Sequence, residues 1–313
     1  MKKILVIRLS SLGDIILSFP LLKKLKEKFP EAEIHFLTKK NYEEIVSINP
    51  NIDRVILLDN SLTNLRGKIK NEKYDLIIDI HKNFRSVFVS MFNGNKVVWY
   101  KKENFKKFLL VNFKINLFNK IIPVFQKYLM TVKNYLGNED YNFSYNELQF
   151  SKDNIMGMSY IVVSPSSKHF TKTYPADKFV EYINGLEEKK VVLVGDNSSR
   201  DNIICGYIES KCSNVLNLCG KLNLKALGNI LYNSEYVICN DSAILHYSEA
   251  VGKRVTAIFG STVKEFGFYP QLKDSRVFDN KNLRCRPCTH IGRKRCPERH
   301  FKCMLEVMIN EQE

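Results

Sequence analysis

The chain has 313 residues, 44% of them hydrophobic, which is enough for two domains with cores of their own. Its 48 Lys and Arg against 33 Asp and Glu give a formal net charge of +15. That balance favours an anionic partner, although a compositional bias towards Lys, Asn and Ile explains it equally well. No apolar run approaches the ~18 residues of a membrane span, and the opening Met-Lys-Lys leads into a strand-like run without a signal-peptide cleavage pattern. No nucleic-acid-binding module accompanies the charge, so a cytoplasmic protein with no nucleic-acid partner is expected.

The first 29 residues set the pattern. Ile4, Leu5, Val6, Ile7 and Leu9 form a short apolar run suited to a parallel strand buried on both faces. The turn Arg8-Leu9-Ser10-Ser11-Leu12-Gly13-Asp14 follows, and Leu21, Leu22, Leu25 and Phe29 then recur at helical spacing. This order puts Asp14 at the carboxyl edge of a parallel sheet, where open α/β sheets bind ligands. Its neighbours leave two readings equally open: a carboxylate answering the helix dipole, or a reactive group.

Further strands are expected at 33–38, 54–58, 74–80 and 97–100, with helices over 39–48 and 62–70, the latter broken at Gly67. His81-Lys82-Asn83-Phe84-Arg85-Ser86 leads from the fourth strand into another helix. Residues 96–127 interleave lysines with Trp99, Phe105, Phe108, Phe113, Phe118 and Phe125. This fits either a membrane-surface segment or an aromatic stripe packed on the domain with its lysines in water. The polar stretch 137–146 reads as a junction, giving expected domains 1–150 and 151–313.

A second series alternates strands at 160–164, 190–194, 215–218, 236–239 and 254–259 with helices at 175–186, 199–211, 224–232 and 243–251. The hydroxyl-rich loop 164–175 carries Lys168 and Lys172, suited to phosphate oxygens or simply solvated. Asn240-Asp241-Ser242 ends a strand and opens a helix, whose free N–H groups can hold a diphosphate. There is no P-loop, no strand-anchored G-x-G-x-x-G and no Asp-x-Asp pair for Mg²⁺. Charge on a departing diphosphate would then fall to basic side chains and helix N-termini.

In order, the stretches Arg8-Leu-Ser-Ser-Leu-Gly-Asp14 with Pro20, Asp79-Ile-His81 to Arg85-Ser86, Lys172-Thr-Tyr-Pro175, Asp241-Ser-Ala-Ile-Leu-His246 and the cysteine tail cover nearly the whole chain. Together they resemble glycosyltransferase family 9, the ADP-heptose:lipopolysaccharide heptosyltransferases. The resemblance implies a GT-B fold, two doubly wound Rossmann-like domains facing a central cleft. The N-terminal domain would receive the acceptor and the C-terminal domain the nucleotide sugar, for an inverting, metal-free transfer. Asp14 matches the catalytic base and Lys172 the donor-phosphate lysine. Asp241, Ser242, Ala243 and His246 fall on the donor-binding helix start, with Ser166 and Thr171 also on the donor side. Arg8, Ser10, Ser11, Gly13, His81, Arg85 and Ser86 fall to the acceptor, although Arg8 pairing with an acidic neighbour stays open. The chain departs from the family at Ala243 and Tyr247, where Gly and Leu are usual.

Cys285, Cys288, Cys296 and Cys303 have the spacing x₂, x₇, x₆, which suits a structural zinc site, reduced core thiols or disulfides. Arg284, Arg286, Arg293, Lys294, Arg295 and Arg299 surround them in a basic tail free to pack on the N-terminal domain and to face the cleft or anionic lipid. The expectation is a monomeric heptosyltransferase without a catalytic cofactor. It would work on ADP-heptose and an anionic lipopolysaccharide precursor at the cytoplasmic face of the inner membrane. The competing readings are a GT-B enzyme of another nucleotide sugar, such as an epimerase, and a non-catalytic basic protein binding anionic lipid.

Overall fold

The structure, a computed structural model, describes residues 1–91, 96–137, 148, 150, 156–186 and 189–309. Two compact units emerge, Met1–Lys102 with Pro123–Leu148, and Glu103–Ile122 with Gln149–Glu313. The excursion Glu103–Ile122, expected in the first domain, thus belongs to the second unit. Beyond Gly137 the expected junction lies outside the described residues.

The first unit runs β1 (Lys3–Ile7), α1 (Leu12–Ile16), α2 (Phe19–Lys28), β2 (Glu33–Thr38), α3 (Glu43–Ser47), β3 (Arg54–Leu57), α4 (Leu62–Asn71), β4 (Leu76–Asp79), α5 (Phe84–Ser90) and β5 (Lys96–Trp99). The chain then gives α6 (Asn104–Phe113) to the second unit and returns with α7 (Val124–Thr131) and α8 (Lys133–Leu136). One helix was expected after the first turn and two form. Pro20, in the first turn of α2, lacks the N–H that would continue α1. Gly67 does not break α4, which runs through it from Leu62 to Asn71.

All pairings in the first sheet are parallel, in the order β3-β2-β1-β4-β5. Ile4, Leu5, Val6 and Ile7 are fully buried between β2 and β4 because β1 is flanked on both edges and covered on both faces. The order reverses between β1 and β4, so their carboxyl ends frame a crevice.

The second unit continues with β6 (Tyr160–Ser164), α9 (Ala176–Asn184), β7 (Lys190–Leu193), α10 (Ser199–Lys211), β8 (Val215–Asn217), α11 (Leu224–Asn233), β9 (Val237–Asn240), α12 (Ala243–Ala250), β10 (Val255–Phe259), β11 (Arg276–Asp279) and α13 (Lys302–Leu305). Its sheet, β11-β10-β9-β6-β7-β8, is also parallel throughout and reverses between β6 and β9. The two stretches singled out in the sequence as phosphate-binding candidates, 164–175 and 240–242, begin at the ends of these two strands. Tyr247 is fully buried, its hydroxyl donating to the Leu224 carbonyl at 2.7 Å, which fastens α12 to α11. Gly228 makes room for it, since a Cβ there would lie 2.2 Å from that hydroxyl. The departure at 247 is therefore a packing feature.

Candidate active site

In the first unit the reversal point gathers Arg8, Ser11, Asp14, His81 and Tyr128. Asp14 sits in the first turn of α1, and its Oδ2 accepts from the Ser11 hydroxyl at 2.7 Å and the Ser11 N–H at 3.3 Å. The Arg8 guanidinium lies 2.8 Å from the same oxygen, and Tyr128 donates to Oδ1 at 3.2 Å. Arg8 is held in turn by the Ile80 carbonyl at 2.7 Å and lies over the Tyr128 ring. Burial alone would push the Asp14 carboxyl up; the Arg8 charge and the Ser11 donors more than offset it and hold the group below its ordinary value. The carboxylate is ionised and 19% exposed, so it remains reachable. A carboxylate offers about four lone-pair positions, so Oδ1, with one long hydrogen bond, can accept another proton donor.

Burial, with the nearby Arg8 and Lys102 charges, lowers His81 to about 4, so its ring is neutral at physiological pH. Its Nδ1 is buried without a hydrogen-bond partner among the described residues. The backbone that carries it is fixed by Asp79, fully buried, which accepts from the N–H groups of His81 and Lys82 and from the Ser86 hydroxyl. Ser86, expected at the acceptor, is 1% exposed and spent on Asp79 and the Asn83 cap of α5. Its role is to shape the loop. Gly13 is buried in α1, Ser10 is half-buried, and Ser11 and Arg85 are exposed.

In the second unit Lys172 Nζ lies 2.7 Å from Asp241 Oδ2, which also accepts from the Thr262 hydroxyl at 2.6 Å. Ser242 occupies the N-cap of α12 without a side-chain hydrogen bond to the helix, and its buried hydroxyl has no partner among the described residues. The first-turn N–H groups of α12, starting at half-buried Ala243, therefore have no side-chain cap. His246 is 6% exposed in the next turn, its ring tilted against Phe268. A lysine beside an uncapped helix start is a place for a doubly charged phosphate group.

Two residues expected to touch the donor also hold parts of the second unit together. Thr171 is 1% exposed, its hydroxyl accepting from the Arg293 N–H at 2.9 Å, so it pins the tail to the Lys172 loop. Ser166 is 5% exposed and donates to Asp201. Asn240, fully buried, is the staple that sequence reasoning passed over. Its Nδ2 donates to the Pro165 carbonyl and its Oδ1 accepts from the Tyr174 N–H, both at 2.9 Å, which ties both ends of the Lys172 loop to β9. Asn240→Ala strands a buried N–H and a buried C=O, and is expected to cost about 2–5 kcal/mol. A thermal melt should fall by about 5 °C or more; an unchanged melting temperature would contradict the staple.

The tail belongs to the second unit. Tyr174 donates to the Val307 carbonyl at 2.9 Å, and Cys303 and Met304 join its core. Arg286, expected to face a cleft or lipid, is 4% exposed in its side chain. It pairs with Asp279 at 3.0 Å and donates to the Thr262 carbonyl at 2.8 Å, bracing the residue that binds Asp241. The four tail cysteines are free thiols, and burial pushes Cys303 up to about 12. Cys285 Sγ lies 3.8 Å from His300 Nε2. Among the described residues no three His, Cys, Asp or Glu side chains converge as metal ligands, so the four cysteines as placed do not fit a tetrahedral site.

The family model for glycosyltransferase family 9 (heptosyltransferase) matches residues 62–302. The chain belongs to this family. As a family 9 glycosyltransferase it is 23% identical over 291 residues to lipopolysaccharide heptosyltransferase 3 of Escherichia coli K12, covering 80% of each chain. Identity is also 23% over 307 residues to lipooligosaccharide heptosyltransferase 2 of Campylobacter jejuni, covering 95% of this chain and 91% of that one. Among solved structures, the E. coli ADP-heptose lps heptosyltransferase II superposes with a TM-score of 0.74 at 20% identity, covering 98% of both chains. The two parallel α/β units are thus those of the GT-B fold.

Proposed function

We propose that this glycosyltransferase moves heptose from ADP-heptose to the inner core of a lipopolysaccharide precursor, with inversion at the anomeric carbon and without a metal ion. Asp14 on the first unit takes the proton of the acceptor hydroxyl as its oxygen bonds to the anomeric carbon. The bond from that carbon to the diphosphate breaks, and ADP departs with the electron pair. Lys172 and the first-turn N–H groups of α12 meet the charge that develops on it. Arg8 keeps Asp14 ionised and pointed, and Tyr128 fixes its second oxygen. Neutral His81 is suited to hydrogen-bond an acceptor hydroxyl, as are Ser10, Ser11 and Arg85 around it.

The observation that carries this reading is Lys172 paired with Asp241 at the uncapped start of α12, with the Ser242 hydroxyl buried and unsatisfied. A diphosphate accepts from Lys172, from the first-turn N–H groups and from the Ser242 hydroxyl at once. The relatives' names support heptose as the sugar and lipopolysaccharide or lipooligosaccharide as the product, and the E. coli structure's title names an ADP-heptose enzyme. The basic surface suits an anionic acceptor presented at the cytoplasmic face of the inner membrane, where we place the enzyme as a peripheral protein. No helix among the described residues is long and apolar enough to cross a membrane.

Thermal shifts with ADP, UDP, GDP and CMP, all in EDTA, test the donor. ADP at about 100 times its Kd should add about 2.7 kcal/mol. A larger shift with another nucleotide would overturn the ADP assignment, and a requirement for Mg²⁺ would overturn metal independence.

A further inference from the structure

Single exposed apolar side chains are ordinary, but a contiguous group is not. Of the eighteen large hydrophobic residues most exposed among the described ones, six lie between positions 105 and 121. Phe105 is 70% exposed, Phe108 53% and Phe113 61%, followed by Ile115, Leu117 and Ile121 at 40% or more. Of the two readings left open for this stretch, the packed aromatic stripe does not hold for α6. The helix rests on Leu110, at 6% exposure, and turns its phenylalanines outward.

The segment is anchored as well as exposed. Lys114, in left-handed conformation at the end of α6, donates to the carbonyls of Cys285 and Pro287 at 3.0 and 2.7 Å. Asn116 donates to Glu265 at 3.3 Å. The polar contacts thus fix the backbone while the apolar side chains stay in water. Four lysines (106, 107, 114 and 120) stand against the single acid Glu103 in Glu103–Ile122, a net +3. The tail loop that Lys114 grips continues into a concavity of about 550 Å³ lined by Arg293, Lys294, Arg295 and Arg299.

We infer that α6 and the loop after it are the surface by which this protein docks on an anionic lipid bilayer. Phe105, Phe108 and Phe113 enter the headgroup–acyl boundary, and Lys106 and Lys120 beside them lie against lipid phosphates. A second copy of the chain is a poorer occupant, because a two-fold contact would bring the same lysines face to face. The assignment deepens the peripheral placement proposed above, but it rests on this surface alone and stands whatever sugar is transferred.

The test is co-sedimentation of the full chain with vesicles of phosphatidylethanolamine and phosphatidylglycerol, against vesicles of phosphatidylcholine. Binding to the anionic vesicles is expected, weakening with added salt as the lysine attraction is screened. Phe105→Ser/Phe108→Ser/Phe113→Ser should lower the partition coefficient at least tenfold with the thermal melt and ADP binding unchanged. Lys106→Glu/Lys120→Glu should abolish the preference for anionic lipid. Wild-type protein that ignores anionic vesicles, or a triple variant that binds them equally, overturns the assignment. So does a wild-type dimer, seen by sedimentation velocity, that the triple variant loses.

Discussion

Asp14→Asn is expected to lower kcat by about 10²–10⁴-fold, the range for losing a positioned general base, while leaving ADP affinity unchanged. The substitution keeps the side-chain shape: its one oxygen can still accept from Ser11, and its amide nitrogen can donate to the Tyr128 hydroxyl oxygen in place of the present bond. What it removes is the capacity to take a proton. Because Asp14 lies on the first unit and Lys172 on the second, a donor-affinity change would mean the variant disturbs more than proton transfer. Arg8 supplies a second readout. Burial raises the Asp14 carboxyl and Arg8 is the leading influence that lowers it. In Arg8→Ala the burial remains and the leading part of the offset is gone, with only the Ser11 donors left, so protonation sets in at higher pH. The acidic limb of kcat/KM should move upward. A limb that stays in place would separate Asp14 from the titrating base.

Lys172→Ala should weaken ADP binding about 10–100-fold, as expected for loss of a charge-assisted hydrogen bond of about 1.5–3 kcal/mol. Asp241 makes the loss larger than a missing contact. It is 7% exposed and loses its cation, leaving a carboxylate held by Thr262 beside the incoming phosphates. The double variant Lys172→Ala/Asp241→Asn should therefore recover part of the affinity, a coupling that calorimetry reads as a double-mutant cycle. Equal affinity of wild type and Lys172→Ala would remove the lysine from the phosphate site.

The alternation of apolar strands and amphipathic helices was enough to predict two parallel sheets and to place Asp14 and Asp241 just past strand ends, with Lys172 in the loop that follows a strand; the strand order itself came only from the structure. Edge elements were harder. Arg276–Asp279 forms β11 with only half-buried residues, so its four-residue run carries no pattern that marks a strand. The partners of Asp14 were legible only in part. Arg8 and Ser11 lie within six residues of it, whereas Tyr128 lies 114 residues away and no local signal joins them. The second task of the hydroxyl-rich motifs was not legible either. Ser86, Ser166 and Thr171 attract attention because their residue type binds phosphates and sugars, and each also bonds a carboxylate or backbone group brought to it by the fold. Asn240 was hidden for the opposite reason, since beside Asp241 and Ser242 it reads as part of a cap. Its value as a staple depends on two loops that meet only in the folded unit.

Incubation of the protein with ADP-heptose and a heptose-free lipopolysaccharide precursor in EDTA, followed by reading of acceptor mass and anomeric configuration, tests the proposed transfer in one step. A gain of one heptosyl unit, release of ADP, and a linkage of opposite anomeric configuration to the donor are expected. A gain only with another nucleotide sugar, a retained configuration, or no gain from a protein that binds ADP would contradict the proposed transfer.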